Sequence, residues 1–312
     1  MSFRGCGTAL VTPFRPDLAL DEEALRRLVR RQIAEGIHFL VPCGTTGENP
    51  TLTRREHLRV VEITLEEAKG KVPVLAGSGG NDTREVTALA RELETLGADG
   101  LLVVTPYYNK PTPEGLVAHY RAVSEATRLP IVVYNVPGRT GTNVDPQTLL
   151  RLSRIERVVG VKEASGNLSQ MAAILQLVPA SFAVLSGDDV LTLPLAALGG
   201  VGLISVASNE APDEMARMTA LAVAGDFAAA RALHRRLHAL MEVNFVESNP
   251  GPVKAALALM GLIEPVYRLP VVPVRPETRR KLESVLEELG LLPGAGGRAV
   301  AEPAAESRSV AG

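Results

Sequence analysis

The chain has 312 residues, 46% hydrophobic and 22% charged, enough for one large α/β barrel or two smaller domains with a sizeable core. Its 33 basic and 35 acidic residues leave a net charge of −2, which argues against a nucleic-acid footprint or a polybasic membrane surface. No apolar run reaches transmembrane length and the N-terminal MSFRGCGTALVTPF lacks a signal-peptide layout, so the expected compartment is the cytoplasm.

Short apolar runs alternate with amphipathic stretches along the chain. The first strand is expected at 6–14, and Asp21 is placed to cap a helix through about residue 35. FLVPCGTTG (39–47) reads as the second strand running into a loop, and Thr53 with Glu56 has capping-box spacing for a helix ending near Gly70. Strand three is expected at 73–80, with a helix from 83 to 96 closed by Gly97. Strand four covers 100–108 and a helix 113–127; strand five covers 130–138 and a short helix 145–154. VVGVKEASG (158–166) holds strand six, whose Val158, Val159 and Val161 read as buried on both faces. A helix follows at 167–178, then strand seven at 182–189, a short helix to 198, and strand eight at 201–209.

Eight strands alternating with helices every 25–30 residues or so form the pattern of a (β/α)8 TIM barrel. A doubly wound sheet would want a Gly-rich fingerprint after its first strand, and TALVTPF has none. The clusters GSGGN (77–81) and GGVG (199–202) lack phosphate-loop spacing and read as turns with close backbone packing. Three further helical stretches, 226–245, 252–260 and 276–289, form a helical C-terminal extension. The expected organisation is therefore a barrel at 1–224, the extension at 225–292, and a disordered tail at 293–312, rich in Gly, Ala, Ser and charge. Cys6 and Cys43 fall in apparent core strands and read as small buried hydrophobes, not as a disulfide framework or zinc site.

In such barrels the reactive groups lie at the C-terminal ends of the strands. Those ends carry Thr12, Thr45, Thr46, Tyr107, Tyr108, Tyr134, Asn135, Lys162, Glu163, Asp188 and Ser205. Of the six lysines, only Lys162 falls in an expected core strand. A lysine in that position either snorkels into water or loses hydration, and a neutral lysine in a dry pocket is a nucleophile for carbonyls. None of the five histidines reaches a strand end, so the usual acid–base residue is missing. Glu48, Glu163, Asp188 and Asp189 are hard-cation candidates without a ligand spacing, and no metal is expected. A lysine served by tyrosine hydroxyls fits carbonyl chemistry through an imine.

Each neighbour has a plainer role as well. Tyr107 and Tyr108 fit a rim pair with phenols in water, and Thr45 and Thr46 fit hydroxyls that satisfy the GTTGE turn. Tyr134 ends IVVY, where a buried phenol needs a partner. Arg139, in the NVPGRTG loop, is either a surface charge or a bidentate holder of a carboxylate.

GTALVTPF, GTTGE, TPYYNKPTPEG, YNVPGRTG, VVGVKEASGN, LSGDD, GLISVASN and ESNPGPVK together resemble the dihydrodipicolinate synthase (4-hydroxy-tetrahydrodipicolinate synthase) family of pyruvate-dependent class I aldolases. The resemblance runs from about residue 5 to 290. It implies that Lys162 forms a Schiff base with pyruvate, that Tyr134 is the general acid/base, and that Thr45 and Tyr108 complete a hydroxyl relay. It also implies that Tyr108 reaches a neighbouring subunit's site, hence a tight dimer, usually within a homotetramer. Thr46 and the backbone near Ile204 would hold the pyruvate carboxylate, and Arg139 the carboxylate of L-aspartate 4-semialdehyde. The reaction needs no cofactor.

The YNVPGRTG and GTT forms resemble the synthases; the related sialic-acid lyases lack this arginine pattern and carry GST. The nearest alternative is another 2-oxo acid aldolase of the superfamily; one from a different class is a non-catalytic ligand-binding barrel. Gly251 departs from the resemblance, standing where the synthases commonly have isoleucine, which draws attention to local packing. An inhibitory L-lysine site in many relatives corresponds to Asn49, Pro50, Arg54, His57, Asn81, Glu85 and Tyr107. Arg54 stands there in place of a common histidine, and a second cation repels an ammonium group.

Overall fold

A computed structural model describes residues 3–293. Eight parallel strands run β1 (Gly5–Ala9), β2 (Phe39–Val41), β3 (Leu75–Gly77), β4 (Gly100–Val104), β5 (Ile131–Asn135), β6 (Val158–Glu163), β7 (Ala183–Ser186) and β8 (Gly202–Ser205). They pair in the order β2-β1-β8-β7-β6-β5-β4-β3. A parallel bridge between Leu40 and Val74 brings β2 to β3 and closes the ring. This is the expected (β/α)8 barrel.

Between the strands lie α1 (Glu22–Ala34), α2 (Arg54–Ala68), α3 (Thr83–Leu96), α4 (Pro113–Ala126), α5 (Pro137–Thr140), α6 (Pro146–Leu152), α7 (Leu168–Leu177) and α8 (Thr192–Ala197). After β8 come α9 (Pro212–Val223), α10 (Phe227–Val243), α11 (Gly251–Leu259) and α12 (Pro276–Leu289). Local signals set several of these boundaries. The Asp21 side chain accepts from Ala24 N at the start of α1, and Thr53 with Glu56 closes a full capping box on α2.

The strands are shorter than the apolar runs that announce them. β2 stops at Val41 because Pro42 has no N–H to donate and Cys43 turns to φ 56°. The stretch expected as the end of strand five instead coils into α5. Helix α9 was not anticipated; its small residues blur the helical period, although Pro212 at its start and Asp213 and Glu214 in its first turn are helix-opening signals. The expected tail lies outside the described residues, apart from Pro293.

Side chains alternate between two layers. Leu101, Val103, Ile131 and Val133 face the helices. Leu102, Val132, Tyr134, Leu185 and Ile204 fill the barrel interior with Phe39 and Leu75. The glycine clusters mark close approaches: a Cβ at Gly77 would stand 2.0 Å from Cys43 O, and one at Gly79 2.4 Å from Val104. Both cysteines are buried and free. Among the described residues no helix is long and apolar enough to cross a membrane.

Candidate active site

The direction of Lys162 depends on an irregularity in β6. Val158 and Val161 both face the helix layer, while Val159 packs against the barrel interior. Strict alternation from Val158 would send residue 162 outward. The pairing with β5 shifts instead: Ile131 lies opposite Val158, but Val132 lies opposite Gly160. One extra residue on β6 resets the alternation. Lys162 therefore turns inward, paired across the strands with Tyr134. It is 6% exposed, and its Nζ sits 4.3 Å from the centre of the Tyr134 ring.

Two adjoining cavities open here. The larger, about 630 Å³, is lined by Lys162, Tyr134, Thr45, Thr46, Arg139 and Asp188 among others. The smaller, about 230 Å³, shares Thr45, Tyr134, Val136 and Arg139 with it and extends past Ser78 to Asn49 and Tyr107. Ile204 lies in the barrel interior with Tyr134, and its neighbour Val206 reaches the larger cavity. Thr46 is buried, and its Oγ1 accepts from Asn249 Nδ2 at 2.9 Å. Arg139, on α5, donates from Nη2 to Asn249 O at 3.4 Å. Tyr108 stands apart: it lines neither cavity, is 89% exposed and holds a φ of 72°.

Three of the four carboxylates named from sequence are engaged elsewhere. Glu163 points away from Lys162 and accepts from Asn135 Nδ2 and Ser165 N, pinning the loop after β6. Asp189 is fully buried, accepts from Ser205 Oγ and the amides of Val206 and Ala207, and is pushed up to about 6 by burial. Glu48 pairs with Lys254. Only Asp188 of the four faces the larger cavity, and burial raises its pKa above the usual carboxylate value. Among the described residues no group of three His, Cys, Asp or Glu is placed to hold a metal ion. No histidine lines either cavity.

Of the positions named for L-lysine, Asn49, Pro50 and Tyr107 line the smaller cavity, and Arg54, His57, Asn81 and Glu85 do not. His57 is buried, with Nδ1 2.9 Å from Asn49 Oδ1, and burial depresses its pKa to about 4. Asn109 ties Asn81 O to the backbone of Tyr107. Glu85 is exposed near the start of α3. The Arg54 charge is offset by Glu92, 3.0 Å away.

Three participants escaped sequence reasoning. Lys254 on α11 is fully buried, more so than Lys162. The signal for it was a lone charge inside the apolar run GPVKAALAL. Asn249 and Gly187 sat inside quoted motifs, but their contacts join remote parts of the chain: a Cβ at Gly187 would stand 3.0 Å from Lys162 Cε.

The family model for the dihydrodipicolinate synthetase family matches residues 2–289. The chain belongs to this family. The 4-hydroxy-tetrahydrodipicolinate synthase of Koribacter versatilis is 54% identical over 296 residues, 95% of this chain and 99% of that one. The crystal structure of dihydrodipicolinate synthase from Thermotoga maritima superposes with a TM-score of 0.92 at 49% identity, covering 94% of this chain and all (100%) of that one. The chloride-inhibited dihydrodipicolinate synthase of Acinetobacter baumannii, complexed with pyruvate, also reaches 0.92, at 42% identity, with 93% of this chain and 100% of that one covered. Membership in the dihydrodipicolinate synthetase family agrees with both the barrel and the lysine at the end of its sixth strand.

Proposed function

We propose that this member of the family is a Schiff-base-forming lyase with 4-hydroxy-tetrahydrodipicolinate synthase activity, condensing pyruvate with L-aspartate 4-semialdehyde on the diaminopimelate route to lysine. The observation that carries this reading is the buried Lys162 amine held over the Tyr134 ring, in a cavity that also contains Arg139.

The Lys162 amine attacks C2 of pyruvate and, with loss of water, forms an imine. Tyr134 gives a proton to the departing hydroxyl. The imine nitrogen acts as an electron sink, so Tyr134 can take a methyl proton and leave an enamine. The enamine carbon attacks the aldehyde of the second substrate. That substrate's amine then attacks the imine carbon, closes the ring and frees Lys162. Thr46 and the backbone near Ile204 hold the pyruvate carboxylate, and Arg139 the carboxylate of the semialdehyde. No organic cofactor or metal enters these steps.

Thr45 adjoins Tyr134 in both cavities and extends its proton path. Tyr108 completes the relay in a second copy of the chain, a role supported by its exposure. The assembly is then at least a tight dimer, within a homotetramer, working in the cytoplasm. We take the helices after residue 224 as an extension of the barrel that also walls the site. L-lysine binds at Asn49, His57, Asn81, Glu85 and Tyr107, helped by the Glu92 partner that offsets Arg54. Titration calorimetry that shows no heat at millimolar L-lysine removes that regulatory site.

The central test is borohydride reduction in the presence of pyruvate, with the modified peptide mapped by mass spectrometry. An adduct on Lys162 is expected, and none with Lys162→Met. A folded protein that gives no adduct returns the chain to a non-catalytic ligand-binding barrel. Arg139→Ala is expected to raise KM for the semialdehyde while leaving pyruvate capture in place. Equal loss with every aldehyde acceptor would favour a different 2-oxo acid aldolase.

A further inference from the structure

Part of the larger cavity's wall comes from outside the barrel. Residues 245–249, between α10 and α11, line it together with the ends of the strands. Asn249 is 6% exposed there and touches two site residues at once. Its Nδ2 donates to Thr46 Oγ1 at 2.9 Å, and its backbone oxygen accepts from Arg139 Nη2 at 3.4 Å. Five residues further on, Lys254 Nζ meets Glu48 Oε1 at 2.5 Å, two residues beyond Thr46. One short segment therefore grips the threonine turn at two points.

The polarity of the first contact matters. A threonine hydroxyl has one proton to give and two lone pairs to accept with. Because the Asn249 amide fills a lone pair, the hydroxyl proton of Thr46 remains available for another acceptor. Thr46 lines the cavity, where a carboxylate is such an acceptor. An acceptor at position 249 would take that proton for itself.

We infer that Asn249 is a positioning residue for the 2-oxo acid: its side-chain amide holds Thr46 as a hydrogen-bond donor toward the substrate carboxylate. This rests on the reading of Thr46 as the carboxylate's partner, and Asn249 acts through that threonine.

The test is the pyruvate concentration that half-saturates borohydride trapping at Lys162, measured on the full chain. Asn249→Asp keeps the shape but replaces the donor with an anionic acceptor. It should raise half-saturation roughly 10- to 150-fold at pH 8, the worth of a charged hydrogen bond; Asn249→Ala, which removes only the neutral bond, should raise it roughly 2- to 10-fold. The change should be larger in half-saturation than in the trapping rate at saturating pyruvate. Lowering the pH toward the carboxyl's own range should restore Asn249→Asp and leave Asn249→Ala unmoved. In a Thr46→Val background neither substitution should add a further effect. Indistinguishable aspartate and alanine variants, or effects fully additive with Thr46→Val, would overturn the inference. A Thr46→Val protein with unaltered half-saturation would instead overturn the assignment of Thr46, and the inference with it. If Asn249→Asp does not fold, the alanine cycle with Thr46→Val decides alone, and its lack of coupling is the refuting result.

Discussion

A single methyl group at position 187 would measure how tightly the lysine is held. A Cβ built on Gly187 lies 2.6 Å from Ala164 Cβ, 3.0 Å from Lys162 Cε and 3.1 Å from Lys162 Cγ. Carbon atoms rest comfortably at about 3.5–4.0 Å, so Gly187→Ala forces the lysine chain aside by about 0.5–1 Å. Its far end is flexible, and the cost in stability is expected to be about 1–3 kcal/mol, the usual range for overpacking. The cost in chemistry is expected to be larger in proportion. A displacement near 1 Å of a reacting group lowers a rate by about 100-fold. The assay is the first-order rate of borohydride trapping at saturating pyruvate, beside a thermal melt. A companion Ala164→Gly substitution removes the methyl–methyl clash but not the lysine contacts. The double variant should therefore recover its melting temperature and stay slow. A Gly187→Ala protein that captures pyruvate at the wild-type rate would show that the glycine does not constrain Lys162.

Three further outcomes follow from buried groups. Lys254→Met leaves the Glu48 carboxylate buried without its partner and should cost about 3–5 kcal/mol in denaturant unfolding, whereas adding Glu48→Gln should recover much of it; equal losses in both variants would contradict this. His119 is buried against Tyr120, and burial depresses its pKa to about 4 from 6.5. Its folded value lies below its unfolded one, so its contribution is present above pH 6.5 and is lost as pH falls toward 4. Asp189, raised to about 6, acts in the opposite sense, so the comparison must be between proteins. His119→Gln should flatten the fall in stability across that window by up to about 1.4 kcal/mol per pH unit, and parallel curves would refute the assignment. Gly251→Ala should stabilise by about 0.4–1 kcal/mol, because a Cβ there meets nothing nearer than Val274 Cγ1 at 3.5 Å; a lower melting temperature would show hidden strain.

Much of this arrangement is written locally. Eight apolar runs, the Asp21 cap and the Thr53–Glu56 box each depend on neighbours in sequence, and each forms where the residues indicate. Tyr134 and Lys162 were legible because a polar group ending a buried strand is costly without a purpose. The face each strand residue takes was less legible. Val158, Val159 and Val161 are chemically alike, so no pattern of polarity reveals where alternation slips. The bond from Asn249 to Thr46 spans 203 residues and has no local signature. Lys254 was passed over because it lies on a helix outside the barrel, while its partner Glu48 sits in a turn.

The slipped residue in β6 has a consequence for how this sequence tolerates change. Removing one residue from 158–160 would keep a valine-rich strand able to pair, and composition would barely register the loss. The bulge would go with it, and unbroken alternation from Val158 would still carry the lysine inward, opposite Tyr134. Losing a second residue would reverse the parity and send the lysine into the layer beneath the helices, where Val161 now packs. Length in this stretch is therefore under a constraint separate from that on residue type. Single substitutions among the three valines, and loss of the one extra residue, should be forgiven far more readily than loss of two. The nucleophile's address is set by a count of residues, and a deletion scan would expose what a substitution scan passes over.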